Sequence, residues 1–324
     1  MKKLFFLILL LGVFFGAQIV YFQSVIKSDR NLDFDEISNS IVSIESQPSN
    51  PNQRFGSGVI ISSDGYIITA FHLLSGSQSS IKIDEKVYTA NLIGFDEYAD
   101  LAVLKVTIED ARPIAFSSSD DLQIGDTVYA LGNPYNLGIS VSKGIISATG
   151  RNLGNPYLDI IQTDAAINLG SSGGAILNEN GELVGLSTLI ASTSGGSDGV
   201  GFALPSSRVL SIANEIIKYG FVSRAWIGDF IFRRSFYDLE NERVPAIYVF
   251  ESNMPLTQNS IDGGLINGDI IIDIKGSQAL WSTLRASVNS ISPGETLELT
   301  VIRDGKRKKL EIITKKRPNT PQAL

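Results

Sequence analysis

The sequence contains no cysteine and a single histidine, His72. Without cysteine there can be no disulfide framework, no Cys₄ zinc site and no thiol nucleophile. With one histidine, any multi-histidine metal centre is excluded as well. An excess of basic charge is also missing. Lysine and arginine number 27 against 34 acidic residues, giving a net charge of −7 and a pI of about 4.9, which argues against a nucleic-acid partner. The one basic run, Lys306-Arg307-Lys308-Lys309, follows the turn pair Asp304-Gly305 and reads as the solvated side of a hairpin. What remains is a chain of 324 residues, 43% hydrophobic and with 30 glycines, which fits a strand-rich globular protein of about two domains.

Lys2 and Lys3 precede an uncharged run from Leu4 to Gln23. That is about the ~20 residues a bilayer-spanning helix needs. It exceeds the apolar region of a signal peptide and lacks an A-x-A exit. The expectation is an uncleaved, single-pass transmembrane helix over 1–23, with the lysines inside and everything after Gln23 across the membrane. In a bacterium this places the chain in the inner membrane with its folded part in the periplasm. Residues 24–37 are polar and read as a tether. From 38 to 222, short alternating runs such as Gly58-Val59-Ile60-Ile61 and Tyr66-Ile67-Ile68-Thr69 are separated by turn signals such as Ser63-Asp64-Gly65. This spacing predicts antiparallel sandwiches or barrels. A helix then closes the unit, capped by Ser206 or Ser207 after Pro205, striped by Val209, Ile212, Ala213, Ile216 and Ile217, and ended by Gly220. A smaller mixed unit follows over 226–316, with strands near 247–250, 270–274, 295–302 and 309–314 and a helix near 281–290. Residues 317–324 read as a tail.

The stretch Leu169-Gly170-Ser171-Ser172-Gly173-Gly174-Ala175 is either a flexible turn or the seat of a nucleophile. Serine is a weak nucleophile at neutral pH. It needs a histidine to take its proton, a carboxylate to hold that histidine, and backbone N–H groups for the developing oxyanion. His72 ends the apolar run Tyr66 to Phe71, and Asp100 immediately precedes the apolar strand Leu101 to Val106. The order His, Asp, Ser is one of the chain orders in which this constellation occurs.

The motifs "GSGVIISSDGYIITAFHLL" (56–74), "DLAVLKV" (100–106), "IGDTVYALGNPYNLGISVSKGIISATGR" (124–151), "QTDAAINLGSSGGAILNENGELVGLSTL" (162–189) and "GVGFALP" (199–205) resemble the HtrA family of trypsin-like serine proteases. "WIGDF" (226–230) and "GLINGDIIIDIKG" (264–276) resemble that family's PDZ domain. The resemblance implies a mainly β fold of two six-stranded antiparallel β-barrels followed by a C-terminal PDZ domain. It implies a His72 general base, an Asp100 orienting carboxylate and a Ser172 nucleophile, with an oxyanion hole from the Gly170 and Ser172 N–H groups. Leu186 and Ser187 would border a small apolar substrate pocket. Trp226, Ile227 and Gly228 would form the PDZ loop that takes a peptide carboxylate, and Arg151 would be regulatory. Asp229 is an oddity beside such a loop, since an inward acid repels a carboxylate. Serine at 171 stands where the family usually has asparagine, and alanines at 70 and 99 replace more usual polar residues.

One anchor, one protease domain and one PDZ domain most resembles the family's membrane-anchored sensor branch. Its implied substrate is a transmembrane anti-sigma factor. Its implied activators are C-termini of unassembled outer-membrane proteins, and its implied assembly is a homotrimer. No metal or organic cofactor is implied. The alternatives are a general periplasmic quality-control protease and a catalytically inert PDZ adaptor.

Overall fold

A computed structural model describes residues 32–46, 54–75, 77–83, 86–151, 159–190, 196–251 and 264–316. The run over 1–23, read above as an anchor, and the tail over 317–324 lie outside them. No helix among the described residues is long and apolar enough to cross a membrane.

The first barrel comprises β1 (Ile41–Ser46), β2 (Arg54–Ile60), β3 (Tyr66–Ala70), β4 (Gln78–Ile83), β5 (Lys86–Asp96) and β6 (Leu101–Lys105), closed in the order β1-β2-β3-β6-β5-β4. The second comprises β7 (Thr127–Gly132), β8 (Ser140–Arg151), β9 (Ile160–Thr163), β10 (Ala175–Leu177), β11 (Leu183–Ile190) and β12 (Gly201–Pro205), closed in the order β10-β11-β12-β9-β8-β7. Closure removes every free edge from these sheets. Each barrel is filled by its own inward-facing residues, among them Val42, Ile67 and Leu104 in the first and Val128, Ile146 and Ile176 in the second. A third cluster joins them, with Val59, Ile68 and Leu101 meeting Leu131, Leu177 and Leu186. At roughly 1.5–3 kcal/mol per buried large aliphatic side chain, that seam is what holds the barrels together.

Two helices pack on this seam. Helix α1 (Phe34–Ser38) lies inside the stretch expected to be a tether. Asp33 caps it, accepting from the Glu36 amide at 3.0 Å. Phe34 and Ile37, one turn apart, rest on the inter-barrel cluster, with the Phe34 ring 5.1 Å from that of Tyr129. Phe34 and Ile37, partly buried, thus pack a stretch read as tether onto the barrels, although their neighbours Asp33, Asp35 and Glu36 are acidic. Helix α2 (Ser206–Tyr219) buries Val209, Ile212, Ala213 and Ile216, and Gly220 ends it at φ 81°, the left-handed geometry glycine accepts without steric cost. The expected serine cap is not used. Pro205 occupies the N-cap position, and Ser206 instead donates to the Ser117 carbonyl at 2.6 Å, tying the helix start to the inter-barrel connection.

The C-terminal unit contains β13 (Ala225–Trp226), β14 (Phe230–Leu239), β15 (Glu242–Glu251), β16 (Ile270–Ile274), β17 (Ser277–Gln278), α3 (Trp281–Ser290), β18 (Thr296–Arg303), β19 (Lys306–Ile313) and β20 (Lys315–Lys316). Its main sheet runs β14-β15-β16-β18-β19, so among the described residues β14 has one unpaired edge. The β18–β19 turn places Asp304 and Gly305 at positive φ, and Lys306 to Lys309 are all exposed. The buried Asp269 and the partly buried Arg303 form a bidentate pair with both bonds at 2.7 Å. Arg303 also donates to the Gly264 carbonyl, and Asp269 accepts from the Ile266 amide. The Asp269 carboxylate raises the Arg303 guanidinium above its usual range. Asp269→Asn strands the arginine charge. It is expected to cost the C-terminal unit about 1.5–3 kcal/mol, read as a lower urea midpoint at unchanged m.

The C-terminal unit meets the protease unit through charges. Arg224 pairs with the buried Asp96, Arg285 of α3 pairs with Asp159 at 2.5 Å, and Tyr98 donates to Asp229 at 3.1 Å. Arg208 of α2 lies in the same field, where burial and then Arg224 pull its guanidinium below its usual range.

Candidate active site

Antiparallel pairing of β3 with β6 puts Ala70 opposite Leu101. The residue after one strand and the residue before the other therefore become neighbours, and these are Phe71-His72 and Asp100. The Phe71 amide donates to the Asp100 carbonyl at 3.1 Å. The carboxylate then grips His72 twice. Oδ1 accepts from the His72 backbone N–H at 2.8 Å, and Oδ2 faces Nδ1 at 2.7 Å. A carboxylate can only accept, so Nδ1 carries a proton, and in the neutral ring the lone pair is on Nε2. Asp100 achieves this at φ 52°, a left-handed conformation that aspartate tolerates better than most residues. The turn before it is held by Asp96, whose Oδ1 accepts from the Tyr98 and Ala99 amides. Ala70 and Ala99 are both buried, so these positions support the site by packing.

Ser172 comes from the second barrel, on the turn before β10. Its Oγ donates to the Thr188 carbonyl at 3.2 Å. The turn is fixed peptide by peptide. The Leu169 carbonyl accepts from the Tyr135 amide at 2.7 Å, the Gly170 carbonyl accepts from the Ser57 hydroxyl at 2.8 Å, and the Ser171 carbonyl accepts from the Gly174 amide at 2.9 Å. In a planar trans peptide the C=O and N–H point oppositely. Anchoring the Leu169 and Ser171 carbonyls therefore aims the Gly170 and Ser172 N–H groups away from these anchors. The Leu169 anchor rests on a strained loop, because Tyr135 and Asn136 are both left-handed, at φ 55° and 58°. Asn133 braces that loop, bonding through its side chain to Ser43, Asn136 and the Gly138 amide.

Gly170 sits at φ 96°, and a Cβ there would lie 2.4 Å from the Asn133 carbonyl oxygen. Gly170→Ala is therefore expected to displace the turn and lower kcat by about 100-fold while far-UV circular dichroism stays unchanged.

The other expected positions divide. Ser187 is buried and lines a cavity of about 140 Å³ behind the turn, together with Ala166, Asn168, Ser171, Pro134 and Ser142. Leu186 has its side chain in the inter-barrel packing. It is fully buried in the inter-barrel cluster and backs the site from inside. Trp226 and Ile227 are likewise core residues, so neither side chain is presented to a ligand, and Gly228 follows at φ 110°. Asp229 is turned toward Tyr98, which accounts for an acid next to this loop. Arg151 is exposed and its Nε donates to Gln162 at 3.2 Å. Ser57 and Asn133, which brace the turn, were missed by sequence reasoning. A small polar residue inside an apolar strand, such as Ser57 in β2, was the available signal.

The trypsin-like peptidase domain model matches residues 56–186, the span that holds His72, Asp100 and Ser172. A probable periplasmic DegP-like serine endoprotease from Marinomonas sp. (strain MWYL1) is 37% identical over 289 residues, covering 86% of this chain and 61% of that protein. The solved structure of the HtrA-type protease AlgW with a tripeptide superposes with a TM-score of 0.72 at 34% identity, over 89% of this chain and 99% of that one. The chain belongs to the HtrA-type serine proteases. AlgW with a decapeptide matches as well, with a TM-score of 0.70 at 31% identity over 89% and 100% of the two chains. This HtrA-type chain spans about three fifths of the length of the first curated relatives it matches.

Proposed function

We propose that the chain is a periplasmic serine endopeptidase of the DegS-like kind, anchored in the bacterial inner membrane through residues 1–23. His72 acts as general base, Asp100 orients it, Ser172 attacks the scissile carbonyl, and the Gly170 and Ser172 N–H groups stabilise the oxyanion. The observation that carries this reading is the double grip of Asp100 on His72, at 2.8 and 2.7 Å. A structural aspartate has no reason to hold both the backbone and the ring of one histidine. In each cycle the Ser172 proton passes to Nε2, the acyl-enzyme forms as the amine leaves with that proton, and water repeats the sequence. No metal or organic cofactor enters this scheme.

The C-terminal unit is read as a PDZ domain that adds an extended C-terminus to the open edge of β14, its carboxylate meeting the backbone amides of Trp226, Ile227 and Gly228. The AlgW structures, which hold a tripeptide and a decapeptide, support a peptide ligand. The proposed activators are C-termini of unassembled outer-membrane proteins. The proposed substrate is a transmembrane anti-sigma factor whose cleavage starts the sigma-E envelope-stress response. Arg151, bonded to Gln162 at the end of β8, would carry the signal toward the turn. The protease units are proposed to assemble as a homotrimer.

The full chain in detergent would be incubated with the periplasmic segment of such an anti-sigma factor, with and without a peptide ending in phenylalanine. Cleavage is expected to rise at least ~10-fold with the peptide, because a ligand shifts an equilibrium only by its preference for one state. Equal cleavage without it would remove the sensor role. Brisk cleavage of unfolded casein without peptide would favour general quality control, a second reading supported by the DegP-like names of the relatives.

A further inference from the structure

The turn that carries Ser172 is tied to a residue of the opposite barrel. Ser57 lies in β2, fully buried. Its N–H donates to the Ser172 carbonyl at 2.8 Å, and its own carbonyl accepts from the Thr69 hydroxyl at 2.7 Å. Its hydroxyl donates to the Gly170 carbonyl and accepts from the Asn133 amide, both at 2.8 Å. Every polar group of Ser57 is therefore engaged, and three of the four bonds end on residues of the second barrel's two loops.

We propose that Ser57 is a positioning residue of the catalytic turn, its hydroxyl fixing the peptide group between the two oxyanion donors. The inference rests on the proposed roles of Ser172, Gly170 and His72. The Gly170–Ser171 peptide lies between the Leu169–Gly170 and Ser171–Ser172 peptides, which carry the donor N–H groups. Its rotation is set by ψ of Gly170 and φ of Ser171, the two torsions that fix how the flanking donor peptides are oriented relative to it. Glycine at 170 offers little resistance to such a rotation. The Ser57 hydroxyl supplies the resistance from outside, because a flipped carbonyl would lose its donor in a buried setting. The same oxygen holds the Asn133 amide, at the start of the loop whose Tyr135 N–H anchors the Leu169 carbonyl. One hydroxyl thus supports the turn directly and through its neighbour loop. Gly132 is fitted to this arrangement, since a Cβ there would come within 2.9 Å of Ser57 Oγ.

The test uses the full chain in detergent with saturating peptide ending in phenylalanine. A fluorogenic peptide with valine at the cleavage position gives kcat and KM, and a peptide boronic acid ending in valine reports the tetrahedral, oxyanion-bearing state. Ser57→Ala is expected to lower kcat by about 10- to 100-fold with KM within about threefold, and to weaken boronate inhibition in parallel. Ser57→Cys, nearly the same size but a weaker donor, is expected to fall between alanine and serine, and it is read alone if Ser57→Ala does not fold. Unchanged kcat in a folded Ser57 variant overturns the proposal. So does a loss of kcat with unchanged boronate affinity, which would mark a packing role only. Ser172→Ala, run alongside, separates the two levels: if it still cleaves, the catalytic reading itself fails, whatever Ser57 does.

Discussion

Ser172→Ala is expected to reduce kcat on a peptide substrate by at least about 10⁴-fold, leaving only what binding and the oxyanion donors supply. The change removes one hydroxyl from a half-buried position, where its bond is a 3.2 Å donation to the Thr188 carbonyl. The turn itself is held by backbone bonds through Leu169, Gly170, Ser171 and the Ser172 carbonyl, none of which uses that hydroxyl. Stability should therefore change by less than about 1 kcal/mol. Peptide binding to the C-terminal unit, followed by fluorescence anisotropy, should be untouched. Cleavage persisting in this variant would mean that another nucleophile does the chemistry. Peptide binding in a wild-type chain that never cleaves would leave the adaptor reading standing.

Asp100→Asn is the next largest effect, an expected fall in kcat of about 10⁴-fold at neutral pH. Asparagine accepts positive φ as readily as aspartate, so the strained backbone at 52° survives the change. An amide oxygen can still take the His72 backbone N–H. What is lost is the second acceptor. The amide NH₂ now faces Nδ1 and can only donate, which drives the ring proton to Nε2 and removes the lone pair that should receive the serine proton. The variant thus separates tautomer from geometry. Nitrogen chemical shifts of the labelled imidazole would show the proton moving from Nδ1 to Nε2. An active variant with the proton still on Nδ1 would show that Asp100 does not set the tautomer.

His72 and Asp100 could be placed together because each stands at the end of an apolar run that becomes a strand, whereas Ser172 was singled out by its glycine-rich turn. Strand ends come together when the strands pair, as Ala70 and Leu101 do. The basic run at 306–309 was legible for a similar local reason, since its turn pair dictates the hairpin. What could not be read was anything decided by the facing barrel. Ser57 looks like a small residue in a strand until the turn 113 residues away is folded against it. Leu186 adjoins the site in sequence, yet it packs in the seam together with Leu183, because a register shift in the β10–β11 pairing breaks the alternation between them. Helix α1 was hidden by its charges, and Ser206 was drawn from capping by a carbonyl 89 positions earlier. Long-range partners override local preference wherever a buried carbonyl must be satisfied.

The five residues from Asp96 to Asp100 belong to two structures at once. One end supplies the carboxylate that holds His72, and the rest is held by Arg224, just before β13, on Asp96 and by Asp229 of the C-terminal unit on Tyr98. Only one residue lies between the Tyr98 contact and Asp100, too short a length of chain to absorb a displacement. Rates in such sites fall about 100-fold for a misplacement of ~1 Å. One short arch thus carries both the carboxylate that holds His72 and the contacts that seat the C-terminal unit.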